Sequence, residues 1–214
     1  MAAGNLHSKK SSDFKKIVER ACDGYKKLQH ESDRGSALVG GAILEETLGA
    51  LLKAFFVQDQ AVIDELMTAS NAPASSFSAR TRLCRAIGLI SDETFRDLER
   101  VRAIRNQAAH FDRRGDRGHE FSFFAQDVSD RIRSFSFITK DAWRDLPPRI
   151  LFEAFVMVVA SVLTERAIIA HTVVKKADRD AAIRILLARA HDTSLYEAIE
   201  GVVETLKKMT FKNV

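Results

Sequence analysis

The sequence predicts an all-α fold, a single helical-bundle domain of about seven to eight helices with a buried hydrophobic helix near 149–171. Three observations carry that prediction. Apolar residues recur at three- and four-residue intervals along most of the chain, the spacing of one buried helix face. Only 3 prolines and 10 glycines punctuate 214 residues, so long unbroken elements are expected. No apolar–polar alternation demands a strand, and no internal repeat or low-complexity tract occurs. With 46% hydrophobic and 29% charged residues, the chain can bury one substantial core, which excludes global disorder.

The first twelve residues are polar and lack an apolar run, so no secretory signal is expected. Ser11 or Ser12 can cap a first helix that buries Phe14, Ile17, Val18, Ala21, Cys22, Tyr25 and Leu28. Ser32-Asp33 offers the next cap, opening a helix from about Arg34 to Phe56. Its seam is Ala37, Gly41, Leu44, Leu48, Leu51 and Phe55, with Glu45 and Glu46 beside it. Gly40, Gly41 and Gly49 each cost about 1 kcal/mol of helix propensity relative to alanine, so close approach of another helix is expected there. Asp59 can cap a short helix through Ala61, Val62 and Leu66, and residues 68–76 read as a loop. The following helix is expected to turn Ala79, Leu83, Ala86 and Ile87 inward and to stop at Gly88. Ser91 then caps a helix over about 92–110, with Asp92 and Glu93 in its first turn.

Residues 111–120 form a charged, glycine-punctuated loop. Helical spacing resumes over 121–137 through Phe124, Val128, Ile132 and Phe135. The connection 141–148 holds Trp143, read as a packing anchor, and Pro147-Pro148 suit the entry to the next helix. That helix, 149–171, is apolar nearly all round, with Glu153 interrupting its most apolar run, 150–163, and should be the most buried element. Its longest uncharged stretch, 154–164, is too short to cross a bilayer, so no membrane association is expected. Asp178 and Asp192 can cap a terminal helical pair, 179–190 and 193–209. The expected organisation is one domain over 11–172, with the pair at 173–214 packed on it or extending it. Cys22 and Cys84 both lie among apolar neighbours, the setting of buried reduced thiols in a cytoplasmic protein.

The net charge of +4 has an informative location. Residues 76–118 contain ten arginines, six acids and no lysine, so this stretch accounts for the entire excess. The planar guanidinium fork matches the paired oxygens of phosphate or carboxylate. A helix face laced with internal Arg–Asp and Arg–Glu pairs fits the same pattern equally well. No Gly-rich phosphate loop, His-Glu-x-x-His motif, cysteine pair at ligand spacing or Gly-x-Ser-x-Gly elbow is present, and no metal or cofactor is expected. No helix-turn-helix signature stands out either.

Within the basic stretch, residues 102–110 gather Arg102, Arg105, Asn106 and His110 near a helix end. On a helical wheel Arg105 falls between Leu98 and Val101, inside the apolar arc, while Asn106 and His110 border it. A desolvated guanidinium is costly unless paired, so Arg105 should meet a carboxylate, a polar cleft or another subunit. Glu45 and Glu46 are candidates for structural pairing, and a homodimer would serve as well. Arg105, Asn106 and His110 also form a candidate catalytic group. Metal-independent RNA cleavage needs a group of near-neutral pKa to move a proton and a cation to stabilise the phosphate. Arg105 and His110 would diverge by about 140° on a continuous helix, so they converge only if the helix ends near Ala109 or a second subunit completes the site. Arg102, Arg113 and Arg114 are candidates for contact with phosphate or a partner.

The Arg-Asn-x-x-x-His pattern at the end of a helix resembles the HEPN superfamily, many of whose members are metal-independent endoribonucleases with sites formed across a dimer. That resemblance implies phosphate binding by Arg105, a polar companion in Asn106 and acid/base work by His110. Where those families often place a tyrosine two residues after the histidine, this chain has Asp112. A second resemblance covers about residues 31–112. Glu31-Ser-Asp-Arg-Gly-Ser-Ala-Leu-Val-Gly40, Ala42-Ile-Leu-Glu45, Phe77-Ser-Ala-Arg80 and Ala86-Ile-Gly-Leu-Ile90, followed by the Arg-Asn helix, resemble the mannitol operon repressor family. This resemblance implies an all-helical repressor-type regulator that works through protein partners and lacks a recognised DNA-binding motif. Three functions therefore stand open: such a regulator with a protein partner, a HEPN-type endoribonuclease acting on RNA, and a structural or oligomerisation module.

Overall fold

The computed structural model describes residues 24–56, 59–110, 120–138, 143, 145–174, 201–202 and 204. Six helices are delimited among them: α1 (Asp33–Phe55), α2 (Gln60–Met67), α3 (Phe77–Ala86), α4 (Asp92–His110), α5 (Gln126–Arg133) and α6 (Pro148–Val174). A helical turn at 24–28 precedes α1, and no strand occurs among the described residues. The all-α prediction holds. Arg113 and Arg114, most of the terminal helical pair, Cys22 and the first half of the predicted N-terminal helix lie outside the described residues.

Helix α1 is the axis of the bundle. It packs most extensively on α6 and also lies against α4 and α3, while α5 bridges α4 and α6. Its start is fixed by Ser32, whose hydroxyl accepts the Gly35 N–H at 3.0 Å. Three of the four glycines of α1, Gly40, Gly41 and Gly49, face three different helices. A Cβ on Gly40 would stand 3.0 Å from Phe152 of α6, one on Gly41 2.7 Å from the Arg105 stem of α4, and one on Gly49 3.0 Å from Arg80 of α3. Their propensity cost is thus offset by backbone approach on three sides, which a larger residue would block.

Helix α6 is the buried helix the sequence predicts: residues 151–159 are buried without exception. Its Phe152 and Phe155 are fully buried and join an aromatic cluster. Phe155 lies 4.7 Å from Phe135 and 5.7 Å from Phe137 between ring centroids, and Trp143 sits 5.8 Å from Phe137 as the expected anchor. Caps at Asp59 and Ser91 also appear as read from sequence, and Ser76, at the end of the expected loop, caps α3 by accepting the Ala79 N–H. Gly88, at φ 77°, ends the turn after α3 in the left-handed region.

Two expectations need correction. The helix expected over 121–137 is confined to Gln126–Arg133, and Phe124 is 68% exposed rather than inward. Phe121 and Phe123 are buried instead, because 120–122 has no helical turn and successive side chains alternate in direction. In α3 the buried face is Phe77, Thr81 and Cys84, whereas Ala79, Leu83 and Ile87 are only half-buried and Ala86 is exposed. Thr81 can enter the core because its hydroxyl donates to the Phe77 carbonyl at 2.8 Å, leaving a methyl to pack. Cys84 is a buried free thiol, and burial pushes its pKa up to about 12, which leaves it inert as a nucleophile.

Candidate functional site

The Arg102–His110 segment forms the last half of α4, and within it Arg105 meets α1 while Gln107 donates to Asp127 of α5 at 2.7 Å. The stem of Arg105 lies flat across Gly41, and its Nη2 reaches Glu45 Oε2 at 3.4 Å. The side chain stays 35% exposed, so the guanidinium sits at the rim of the α1–α4 seam and avoids most of the desolvation cost. Arg102 is held within its own helix by Glu99 at 2.8 Å. Glu46 faces solvent, Asn106 is half-buried, and His110 is exposed at the end of α4. Because α4 remains helical through His110, Arg105 and His110 project about 140° apart. The structure thus places Arg105 with Glu45 but does not bring Arg105 and His110 together in one chain.

Two other arginines of the basic stretch, Arg80 and Arg85, are similarly engaged. Arg80 donates to the carbonyls of Ala74 and Glu45, at 2.9 and 3.0 Å, bracing the loop before α3 against α1. Arg85 pairs with Asp92 at 2.7 Å; that contact holds the exposed Asp92 carboxyl below the usual range. Arg82 and Arg96 are turned to solvent.

Two buried carboxylates form the strongest polar nodes. Asp97 on α4 is 3% exposed. It accepts the Ser136 N–H on both oxygens at 3.0 Å, the Ser136 hydroxyl at 3.2 Å and Arg100 Nη1 at 2.6 Å. Burial pushes its pKa up to about 6, against the opposing pull of Ser136 and Arg100. The folded state therefore binds this proton more tightly than the unfolded chain. The stability contributed by Asp97 is fully present below pH about 4 and is lost as pH rises to about 6. Relative to Asp97→Asn, the wild type should lose about 2 kcal/mol between pH 4 and 7.5 in urea denaturation. Parallel pH profiles for the two proteins would refute this.

The second node lies between the start of α1 and the first turns of α6. Glu153, 1% exposed, accepts from the Ser36 hydroxyl at 2.7 Å and from Arg149 Nε at 2.9 Å. Burial raises the Glu153 pKa despite these two donors. Arg149 Nη1 donates to Asp33 Oδ1 at 3.1 Å, and Nη2 donates to the carbonyls of Leu28 and Glu31 at 3.0 and 2.7 Å. Burial pulls the Arg149 pKa down, but Glu153 and Asp33 together carry it above its ordinary value. The sequence signal for this node was an acid in the otherwise uncharged run 150–164, with an arginine four residues before it.

Fold and site together define an all-helical module whose arginines and buried acids tie helices to one another. No group of three or more potential metal ligands, and no helix long and apolar enough to cross a membrane, occurs among the described residues. The chain belongs to the mannitol repressor family, whose model matches residues 26–151. It is also similar to a chain in an X-ray structure of the MtlR–HPr complex from Escherichia coli, with 17% sequence identity and a TM-score of 0.46. That similarity covers 89% of this chain and 98% of the other. No curated protein matches the chain.

Proposed function

We propose that this protein is a repressor-type transcriptional regulator that acts through contact with a protein partner rather than by reading DNA. Membership of the mannitol repressor family is the observation that carries the reading. The disposition of the basic stretch supports it: Arg80, Arg85, Arg100, Arg102 and Arg105 are each engaged by oxygens of this chain. Direct readout needs several phosphate contacts together with side chains that reach base edges. Cells deleted for the protein should show raised levels of a small set of transcripts, restored by a plasmid copy. The purified chain alone should leave the matching promoter fragments unshifted. Absence of any transcript change would overturn the regulator, and a sequence-specific shift by the chain alone would overturn action through a partner.

The Arg-Asn-x-x-x-His motif, with His110 exposed at a helix end, favours a second reading: a metal-independent endoribonuclease of HEPN type. It requires a second copy of the chain, since Arg105 leans toward Glu45 and away from the His110 side of α4. Incubation with RNA in EDTA, wild type beside His110→Ala, decides between the two. The regulator predicts no cleavage by either protein, whereas cleavage abolished by the substitution would establish the enzyme.

A further inference from the structure

Asp33 stands at a junction that the regulator reading does not use. Its two carboxylate oxygens serve different segments. Oδ1 accepts from Arg149, which also holds the Leu28 and Glu31 carbonyls, so this oxygen faces the seat of the helix that ends before α1. Oδ2 accepts the Phe123 N–H at 3.0 Å and the Ser122 hydroxyl at 3.2 Å. That same Ser122 oxygen accepts the Phe124 N–H at 3.1 Å, closing a small turn. The turn is short, but it presents an aromatic ring to solvent, for Phe124 is 68% exposed while Phe123 beside it is fully buried. On the opposite side, Tyr25 and Leu28 are 4% and 2% exposed, so the helix end is seated in the core and not merely resting on it.

We propose that Asp33 is a coupling residue that makes seating of the 24–31 segment and presentation of the Phe124 turn interdependent. The physical basis is a shared acceptor. Arg149 fixes the position and rotation of the Asp33 carboxylate, and only in that rotation does Oδ2 meet both donors of the turn. Loss of the Arg149 contact frees the carboxylate to rotate toward water, and the two donors at Ser122 and Phe123 then lose their common partner. Coupling is reciprocal by thermodynamic necessity, so loosening the turn must equally loosen the seat. Asp33 and Arg149 are positioning residues in this scheme. Anything that bound at one segment would be registered at the other, although no residue of the two segments need touch.

Amide hydrogen exchange tests the coupling in both directions. Arg149→Lys keeps a cation beside Glu153 but cannot reach Asp33 and both carbonyls together. In that variant the Phe123 and Phe124 amides should exchange at least about fivefold faster, although Arg149 touches neither residue. Ser122→Ala removes the turn's hydroxyl and should speed exchange at Gln29 and Glu31, whose N–H groups bond to the Tyr25 and Leu28 carbonyls. Amides within α3 serve as the control and should be unchanged in both variants. A change confined to the mutated side in either variant would overturn the proposal. If Arg149→Lys also loosens α3, the milder Ser122→Ala arm decides on its own.

Discussion

Phe155→Ala is expected to lower folding stability by about 4 kcal/mol, near the upper range for a single core truncation. The residue is 1% exposed on the most buried helix, so its ring loses all of its packing and the site has little freedom to collapse. It also meets two aromatic rings from the segment after α5, at 4.7 Å and 5.7 Å, and such pairs add about 1 kcal/mol beyond area burial. Against a typical total of about 5–15 kcal/mol, this loss should shift the urea midpoint strongly while leaving the slope unchanged. Phe155→Leu, which keeps most of the volume, should cost about 1.5 kcal/mol or less. A loss below about 2 kcal/mol for the alanine variant would mean that α6 can be repacked and that the aromatic cluster does not fix its position.

The same helical wheel that singled out Arg105 also contained the residue of greater consequence. Asp97 falls about 140° from Arg102, between Ala108 and Ile104, and so lies inside the apolar arc as Arg105 does. Asp97 is buried and Arg105 is not, because Gly41 leaves a channel along which the arginine stem lies while its head reaches the rim. Helical period was therefore sufficient to find the buried acid, but not to find its partner. Ser136 lies 39 residues away in a turn beyond α5, and only the tertiary fold brings it there. The elements themselves were legible where period and cap agreed, as at Ser32, Asp59 and Ser91. Reading failed at 121–124, where a helical spacing that began at Phe124 was overridden by the tether from Asp33 to the Phe123 N–H. A contact across 90 residues leaves no local trace in the sequence.

The arginine-rich stretch illustrates why charge counted along a chain is weak evidence for a nucleic-acid surface. Its excess of +4 is real, yet most of its described guanidiniums meet oxygens on neighbouring turns or helices. Arginine is suited to that task, since one planar fork can serve a carbonyl and a carboxylate from different elements at once. Arg80 joins a loop to α1, Arg105 joins α4 to α1, and Arg149 joins three segments. Internal bracing and partner contact are compatible in such a module, because a rigid scaffold lowers the entropy lost on association.

Arg149→Met should be the most damaging of the polar substitutions, at about 3 kcal/mol. The stem is replaced, so the cost is chiefly that of removing the cation from a carboxylate that is 1% exposed, together with the loss of the guanidinium's hydrogen bonds to the Leu28 and Glu31 carbonyls. If the stranded charge is the main cost, deleting it as well should help. Arg149→Met/Glu153→Leu should therefore be more stable than Arg149→Met alone by about 1–2 kcal/mol, although it removes more of the native network. A pH series supplies the independent sign. In Arg149→Met the Glu153 pKa rises further above its unfolded value, so the folded state takes up a proton the unfolded chain does not hold. The deficit relative to wild type should shrink as pH falls from 7.5 to 5, and the double variant should show no such recovery. A double variant less stable than the single one would place the cost in the Leu28 and Glu31 carbonyls, and the seat of the N-terminal helix would then be the main work of Arg149.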